Sequence, residues 1–239
     1  MTAHPYVGRE LDLFARANRW KRYLRRQMRP FLGRRVLEVG AGIGATTRVL
    51  CSDVVADWIC LEPDRALAAR LQADIDAGRL PGACRVVAGT LEDLPPEMAG
   101  QVDTVLYIDV LEHIPDDRAE FERAAPFLSP SGFVIALSPA HQFLFTAFDA
   151  SIGHCRRYTR RSLADAAPPS LELVKLRYLD STGFFASLAN RLFMNQSMPT
   201  ASQIAFWDSV LVPASRVLDP LLFYRFGKSV LGVWALTRP

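Results

Sequence analysis

The chain has 239 residues, of which 50% are hydrophobic and 22% are charged, and it carries a net charge of +3. This hydrophobic share excludes an intrinsically disordered chain, and glycines and prolines without a fixed period exclude a collagen-like one. The cysteines are too scattered for a disulfide scaffold and form no Cys-x-x-Cys pair, so no metal site is predicted. Reduced thiols and a polar, basic N-terminus without a signal peptide predict a cytoplasmic protein.

The first predicted element is a helix between about Leu11 and Met28. Apolar residues fall near one face of this segment, and Pro30 and Gly33 end it. Short apolar runs then predict buried strands, separated by helical segments, at residues 35–39, 58–61, 85–88, 102–107 and 132–137. Buried strands without polar alternation are typical of a parallel sheet covered on both faces. The sequence therefore predicts a doubly wound α/β fold.

The C-terminal third has a different pattern. Residues 171–178 alternate with period two, which predicts a more exposed strand, and residues 229–235 predict a final strand. Between them, residues 180–228 are rich in Phe, Leu and Met and too long for a plain connection. We interpret them as a helical cap or a dimer surface, so a monomer and a homodimer both stay open.

Two compositional features bear on partners. Residues 124–148 lack Asp, Glu, Lys and Arg, but three prolines and a glycine interrupt them, so no transmembrane span is predicted, although peripheral membrane contact stays open. Cations cluster at residues 9–35 and 156–161. These clusters fit nucleic acid, anionic lipid or an acidic substrate, and they also fit solvated helix faces.

A glycine-rich segment, residues 36–44, follows the first predicted strand. Glycines there allow positive φ angles and let the backbone approach a ligand closely. Gly40-x-Gly42-x-x-Ala45 also matches the dinucleotide fingerprint, and Glu62 lies about twenty residues on, where an acid binds ribose hydroxyls. The loop alone therefore fits two cofactor classes.

Three further features separate these classes. Glu38 stands two residues before the loop, where a carboxylate opposes a pyrophosphate and suits an ammonium or a sulfonium. Polar segments follow the third and fourth strands, at residues 89–95 and 109–115. All of these positions lie at the carboxyl ends of parallel strands, where α/β folds bind ligands.

The chain resembles class I S-adenosylmethionine-dependent methyltransferases, the Rossmann-like small-molecule methyltransferase family. The matching segments are residues 36–44, 61–64, 89–95, 103–115 and 129–136. The resemblance implies a seven-stranded, mostly parallel sheet with an antiparallel last strand, an N-terminal lid helix and a helical insertion. It implies S-adenosylmethionine as cofactor, S-adenosylhomocysteine as product, and a small-molecule methyl acceptor that is a glycan, a secondary metabolite or a lipidic compound.

The resemblance also implies contacts to this cofactor. Glu38 and the glycine loop would hold the methionine part, Glu62 the ribose, and Leu91 the adenine. Thr90 stands where an Asp often reads the adenine amino group, so Glu92 or Asp93 is the expected substitute. The implied cofactor-binding residues are Glu38, Gly40, Ala41, Gly42, Gly44, Glu62, Pro63, Thr90, Leu91, Glu92, Asp109 and His113.

The acceptor side is expected in the loop after the fifth strand. His141 and His154 are candidate catalytic bases, and each is also explained as a hydrogen-bonded structural histidine. Arginines in this loop fit a carboxylate or a phosphate. The predicted substrate-binding residues are Trp20, Asp149, Arg157 and Tyr158.

These expectations divide the chain into a lid (residues 1–33), a cofactor-binding core (34–179), a helical cap (180–228) and the last core strand (229–239). The leading hypothesis is a methyltransferase acting by in-line displacement, without a nucleic-acid partner. One alternative is an NAD-dependent oxidoreductase, based on the glycine fingerprint and Glu62. A second is a non-catalytic cofactor-binding or nucleic-acid-binding protein that uses the N-terminal arginines.

Overall fold

The computed structural model describes residues 10–52, 54–193 and 199–237. The first nine residues of the predicted lid and a short part of the predicted cap, residues 194–198, therefore lie outside the described residues. Within the described ranges the chain forms a seven-stranded sheet of order β3-β2-β1-β4-β5-β7-β6. The strands are β1 (Arg35–Val39), β2 (Asp57–Glu62), β3 (Cys84–Ala88), β4 (Val102–Ile108), β5 (Leu128–Pro139), β6 (Leu171–Leu179) and β7 (Ser229–Leu236).

The strand directions confirm the fold predicted from the sequence. β1 to β5 are parallel, and β7 runs antiparallel between β5 and β6. The strand order reverses between β1 and β4, which places a ligand-binding crevice at the carboxyl ends of these two strands. β6 is one of the two edge strands, and its exposed Leu173 and Val174 agree with the prediction of a more exposed strand.

Helices cover both faces of the sheet. They are α1 (Glu10–Phe14), α2 (Asn18–Met28), α3 (Thr47–Leu50), α4 (Arg65–Asp76), α5 (Asp117–Ala124), α6 (Ala147–Ser151), α7 (Arg160–Ala166), α8 (Ser181–Phe193), α9 (Ala201–Phe206) and α10 (Val212–Leu221). One buried apolar cluster, which contains Trp58 and Leu24, joins α2 and the insertion to one face of the sheet. Another, which contains Phe121 and Trp234, packs α5 and α7 against the other face.

The N-terminal helix differs from the prediction. Instead of one helix from Leu11 to Met28, the chain breaks at residues 15–17 into α1 and α2. The Lys21 ammonium donates hydrogen bonds to the carbonyl oxygens of Phe14 (2.7 Å), Ala15 (3.1 Å) and Ala17 (3.3 Å). A helix end leaves such carbonyls without partners, so this contact explains why α1 can stop there.

The insertion between β6 and β7 consists of α8, α9, a π-helical segment (Trp207–Leu211) and α10. Asp180, at the end of β6, is buried and accepts hydrogen bonds from Trp207 Nε1 (2.7 Å) and Ser215 Oγ (2.8 Å). Asp219 accepts from the Tyr23 hydroxyl (2.8 Å). These buried bonds fix the insertion to the sheet and to α2.

Candidate functional site

A large cavity lies at the carboxyl ends of the parallel strands, between β1 and β4. Its volume is about 1230 Å³, which exceeds the roughly 300–1,000 Å³ typical of a single small-molecule site. Its walls come from α1 and α2, from the loops after β1 to β5, and from the insertion. The cavity is therefore large enough for a cofactor and a second molecule together.

The glycine loop forms one wall of the cavity. Gly40 and Gly42 have φ angles of +68° and +57°, a region that side-chain-bearing residues rarely adopt. A Cβ atom on Gly40 would lie 2.7 Å from Val110 Cγ2, whereas one on Gly42 would have only Leu11 as a neighbour, at 3.7 Å. Gly42 therefore exposes its backbone to the cavity, and the neighbouring Ala41 lines the same wall.

Gly44 has a different role from the one predicted. It does not line the cavity, and a Cβ atom there would lie 2.7 Å from Leu71 Cδ2. Its φ angle of +69° also requires glycine. We correct its assignment from cofactor contact to a close packing position beneath the loop.

Glu62 connects the glycine loop to the end of β2. Its carboxylate accepts hydrogen bonds from the Gly42 N–H (2.7 Å) and the Asp64 N–H (3.0 Å), and Pro63 lies beside it on the wall. Burial raises the pKa of this carboxyl, and the two hydrogen bonds oppose that shift. Because a carboxylate has about four acceptor positions, Glu62 keeps two for a ligand diol.

Glu38 lies deeper in the same wall, at the end of β1. Its Oε2 atom accepts hydrogen bonds from Thr47 Oγ1 (2.5 Å) and Trp58 Nε1 (2.7 Å). Burial raises the pKa of this carboxyl to about 7 despite both bonds. Both bonds end on Oε2, which leaves Oε1 for a ligand's ammonium group. Such a pair of carboxylates, beside an open backbone loop, fits the amino-acid and ribose parts of S-adenosylmethionine.

The loop after β3 also reaches the cavity, through Thr90, Leu91 and Glu92. Asp93 is used locally, because its Oδ2 atom accepts from the Thr90 N–H (2.9 Å) and the Thr90 hydroxyl (3.2 Å). Glu92 forms an exposed ion pair with Arg123 (3.1 Å). The loop thus lies where an adenine contact is expected, while Glu92 as the adenine-reading residue stays a prediction.

Asp109 and His113 lie on the loop after β4. Asp109 has a φ angle of +54° and lines the cavity. Desolvation by the surrounding protein raises the pKa of its carboxyl to about 6. Burial, together with the nearby His154, lowers the pKa of His113 to about 4. The His113 ring lies 4.6 Å from that of His154, centroid to centroid. His113 therefore lies where the cofactor side of the cavity meets the opposite wall.

That opposite wall, which we call the acceptor wall, contains Asp149, His154 and Arg157. Asp149 Oδ1 lies 3.0 Å from His154 Nδ1, and the Arg157 guanidinium binds both Asp149 oxygens, at 2.8 and 2.9 Å. Burial alone would raise the pKa of Asp149, but the bonds from His154 and Arg157 hold it well below its usual range. The arrangement fixes the orientation of the His154 ring, and it commits two Arg157 nitrogens to Asp149.

Two predicted residues do not reach the cavity. Tyr158 is buried in the core, where its hydroxyl donates to Asp117 Oδ2 (2.6 Å). His141 packs against Tyr178 and Phe184, with ring centroids 4.6 and 5.0 Å apart. Neither lines the cavity. We correct Tyr158 to a core residue and His141 to a histidine packed among aromatic rings, because their contacts are with the protein interior and not with the cavity.

Trp20 reaches the cavity from α2. Its ring lies 5.6 Å from that of Trp207 in the insertion, and Asp208 accepts hydrogen bonds from the Arg19 and Trp20 N–H groups (3.1 and 2.8 Å). The first turn of α2 is therefore capped by a side chain of the insertion. The predicted lid and the predicted cap meet above the cavity as one covering layer.

Comparison with known proteins identifies the family. A family model described as a methyltransferase domain matches residues 12–167. The chain belongs to this methyltransferase domain family. The matched residues include the glycine loop, both wall carboxylates and the acceptor wall.

Two relatives of this methyltransferase-family chain are ubiquinone biosynthesis O-methyltransferases. The one from Xanthomonas axonopodis pv. citri is 33% identical over 144 residues, which cover 52% of this chain and 57% of the relative. The one from Vibrio campbellii is 31% identical over 103 residues, covering 43% and 42%. The chain therefore spans about half the length of the curated relatives it matches.

Solved structures share the fold over most of the chain. A geranyl diphosphate methyltransferase in complex with SAM has a TM-score of 0.64 at 15% identity, covering 95% of this chain and 90% of that one. A geranyl diphosphate C-methyltransferase from Streptomyces coelicolor A3(2) has a TM-score of 0.59 at 14% identity, covering 90% and 77%. Among the described residues of the present chain, no helix combines the length and apolar character needed to cross a bilayer.

Sequence reasoning missed several residues that line the cavity, among them Lys228 and Glu112. Lys228 lines the cavity with its ammonium 5.1 Å from the Trp207 ring centroid, and burial lowers its pKa. Lys228 directly precedes β7, whose first residue pairs with the end of β5. The predicted last strand therefore already placed Lys228 at the edge of the sheet where the cavity lies. Glu112 lies in the polar segment 109–115 but was not predicted as a site residue, although it is buried beside His154.

Proposed function

We propose that this protein transfers a methyl group from S-adenosylmethionine to a hydroxyl group of a small molecule, in the cytoplasm. The observation that carries the proposal is that one cavity has two chemically different walls. One wall offers the exposed backbone at Gly42 and the carboxylates Glu38 and Glu62. The other offers a histidine, His154, oriented by a carboxylate.

The cofactor wall suits a ligand that is positive at one end and carries hydroxyls at the other. Glu38 would bind the ammonium group and Glu62 the ribose diol, while the open backbone at Gly42 allows close approach. The cofactor supplies an activated methyl group on a sulfonium. Negative groups on this wall oppose a pyrophosphate, which disfavours the oxidoreductase alternative.

The acceptor wall suits a hydroxyl that must lose its proton. Methyl transfer needs the acceptor oxygen about 3 Å from the methyl carbon and in line with it, so fixed side chains on this wall raise the rate by positioning. The His154 ring is held by Asp149, which Arg157 holds in turn. His154 is therefore the residue we assign to proton removal, and Asp149 and Arg157 are positioning residues.

The roof of the cavity points to an acceptor with an apolar part. Ile204, Phe206, Trp207 and Leu211 of the insertion line it, with Trp20 from the lid. Apolar and aromatic lining is the usual environment for an aromatic or lipidic ligand. A hydroxylated aromatic ring with an alkyl chain combines a hydroxyl for His154 with a surface for the roof, in line with the ubiquinone-biosynthesis relatives.

A radiolabel assay tests the proposal. Purified protein is incubated with S-adenosylmethionine carrying a labelled methyl group and with a catechol bearing a ten-carbon alkyl chain. We expect label in the catechol and none in its dimethyl ether, which lacks a free hydroxyl. Equal labelling of both compounds contradicts hydroxyl methylation, and binding of NADH without binding of S-adenosylhomocysteine contradicts the methyltransferase assignment altogether.

A further inference from the structure

Glu112 is a buried carboxyl without a hydrogen-bond partner. Its side chain is 0% exposed, and within the described residues neither of its oxygens has a hydrogen-bond partner within 3.5 Å, although the equally buried Ser138 hydroxyl lies nearby. A buried polar group in this state is strongly unfavourable unless a proton or a cation compensates it. We therefore expect a group nearby that compensates the charge of this buried carboxyl.

Two histidines face this carboxyl. One donor atom each of Glu112, His113 and His154 lies within 4.8 Å of the other two. The distance from Glu112 Oε1 to His154 Nε2 is 3.8 Å, too long for a hydrogen bond. Metal bonds of about 2.0–2.2 Å place neighbouring ligand atoms about 3–4 Å apart, so this separation suits two ligands of one ion.

The His154 ring is already held as a metal ligand would be. Its Nδ1 atom contacts Asp149 Oδ1 at 3.0 Å, and Arg157 binds both oxygens of Asp149. In metal sites the second nitrogen of a ligating histidine is commonly bound by such a carboxylate, which fixes the ring and directs the other nitrogen to the ion. Here that other nitrogen, Nε2, faces Glu112.

We propose that Glu112, His113 and His154 together bind one divalent cation of the zinc type at the acceptor wall. Two histidines and one glutamate form a donor set that suits such ions and leaves a coordination position open. The sequence predicted no metal, because His154 stands about forty residues beyond the other two ligands and only the fold brings it there.

The catalytic role of the ion rests on the proposed function. The binding of the ion to these three residues does not. In the methyltransferase, the open position would take the acceptor hydroxyl. A bound cation lowers the pKa of a hydroxyl, so the O–H bond breaks, its electron pair stays on oxygen, and the proton passes to water in the cavity. His154 is then a ligand of the ion and water accepts the proton, so the direct proton removal assigned to His154 above applies to the metal-free protein.

Calorimetry with zinc tests the site directly. The full-length protein is treated with a chelator, dialysed, and titrated with ZnCl₂ alone. We expect one ion per chain, bound at least tenfold more weakly by Glu112→Gln and by His154→Ala. Cys155→Ser is the matched control, because this exposed thiol lies in the same loop and could bind zinc adventitiously. It should bind zinc as the wild type does.

Each outcome is decisive. Wild-type protein that binds no zinc, or variants that bind it like the wild type while retaining their melting temperature, overturn the inference. Loss of binding in Cys155→Ser also overturns it, because the thiol is then the ligand. The same samples are titrated with S-adenosylhomocysteine: zinc binding without cofactor binding rejects the proposed function and leaves the metal site standing, and the reverse rejects only the metal site.

Discussion

The two walls of the cavity are built in different ways. The cofactor wall consists of short contiguous segments at the ends of β1 and β2, and much of its binding surface is backbone at Gly40 and Gly42. The acceptor wall consists of side chains, and Glu112 meets His154 only because two separate loops converge. The first wall depends on local conformation, and the second on long-range packing. Substitutions should therefore affect the two walls separately.

The largest effect is expected on the acceptor wall. Replacing His154 by alanine removes the proposed proton-handling group, and we expect turnover to fall by about 10²–10⁴-fold. The dissociation constant of S-adenosylhomocysteine should not change. The rate is measured with labelled cofactor and the affinity by calorimetry. His141→Ala, which lies outside the cavity, should keep its turnover, and an equal loss in both variants would remove the distinction between these histidines.

On the cofactor wall, Glu38 predicts a pH-dependent stability. Its pKa is about 7 in the folded protein against 4.5 ordinarily, so between these values the folded protein holds a proton that the unfolded chain has released. Stability therefore falls as pH rises across this window, by about 3 kcal/mol for a shift of this size. Urea unfolding at pH 4.5, 6 and 8 should show this decrease in the wild type, relative to Glu38→Gln. Parallel curves for the two proteins would contradict the assigned pKa.

Replacing Glu62 by alanine tests the contribution of the cofactor wall to cofactor affinity. The variant loses the charged hydrogen bonds assigned to the ribose and the bond that holds the Gly42 N–H. We expect cofactor affinity to weaken by about 1–3 kcal/mol. The matched control is Glu122→Ala, whose carboxylate is exposed, pairs with Arg118 and does not line the cavity. An affinity that falls equally in both variants would show that Glu62 has no special place in the site.

The smallest effect is expected where the lid meets the insertion. Asp208 accepts from the N–H groups of Arg19 and Trp20, so Asp208→Ala removes a helix cap, and we expect a loss of about 1 kcal/mol in stability. Thermal unfolding measures it. Ser209→Ala is the control, because its hydroxyl makes only a long local bond of 3.5 Å. Equal melting temperatures of the two variants would contradict the account, because they would show that the Asp208 contacts do not stabilise the lid against the insertion.

The strands and the glycine turn of the cofactor half could be predicted from the sequence, while the contacts of its residues to the cofactor stay predictions. β2, β4 and β5 contain runs of four or more apolar residues, whereas β1 and β3 have shorter runs. The glycines after β1 have positive φ angles for which few other residues substitute. Glu38 and Glu62 follow from their places at strand ends. What the spacing could not show is that Gly44 packs against Leu71 rather than facing the ligand, because both roles require a residue without a Cβ atom.

The acceptor half was only partly predictable. Asp149, His154 and Arg157 lie within nine residues in sequence, so their grouping was visible, but the contact of His154 with Glu112 was not. Some polar residues of this loop line the cavity, whereas others, such as Tyr158, are buried in the core. Tertiary contacts decide which of them face the cavity. Tyr158 and His141 were misplaced for that reason. The break between α1 and α2 was missed as well, since the apolar spacing continues through it.

Calorimetric titration with S-adenosylhomocysteine and, separately, with NADH tests the central claim most directly. The account predicts that the wild type binds one molecule of S-adenosylhomocysteine per chain. Glu62→Ala should bind it at least about fivefold more weakly, and His154→Ala should bind it like the wild type. NADH should give no heat of binding. Binding of NADH in place of S-adenosylhomocysteine would contradict the account.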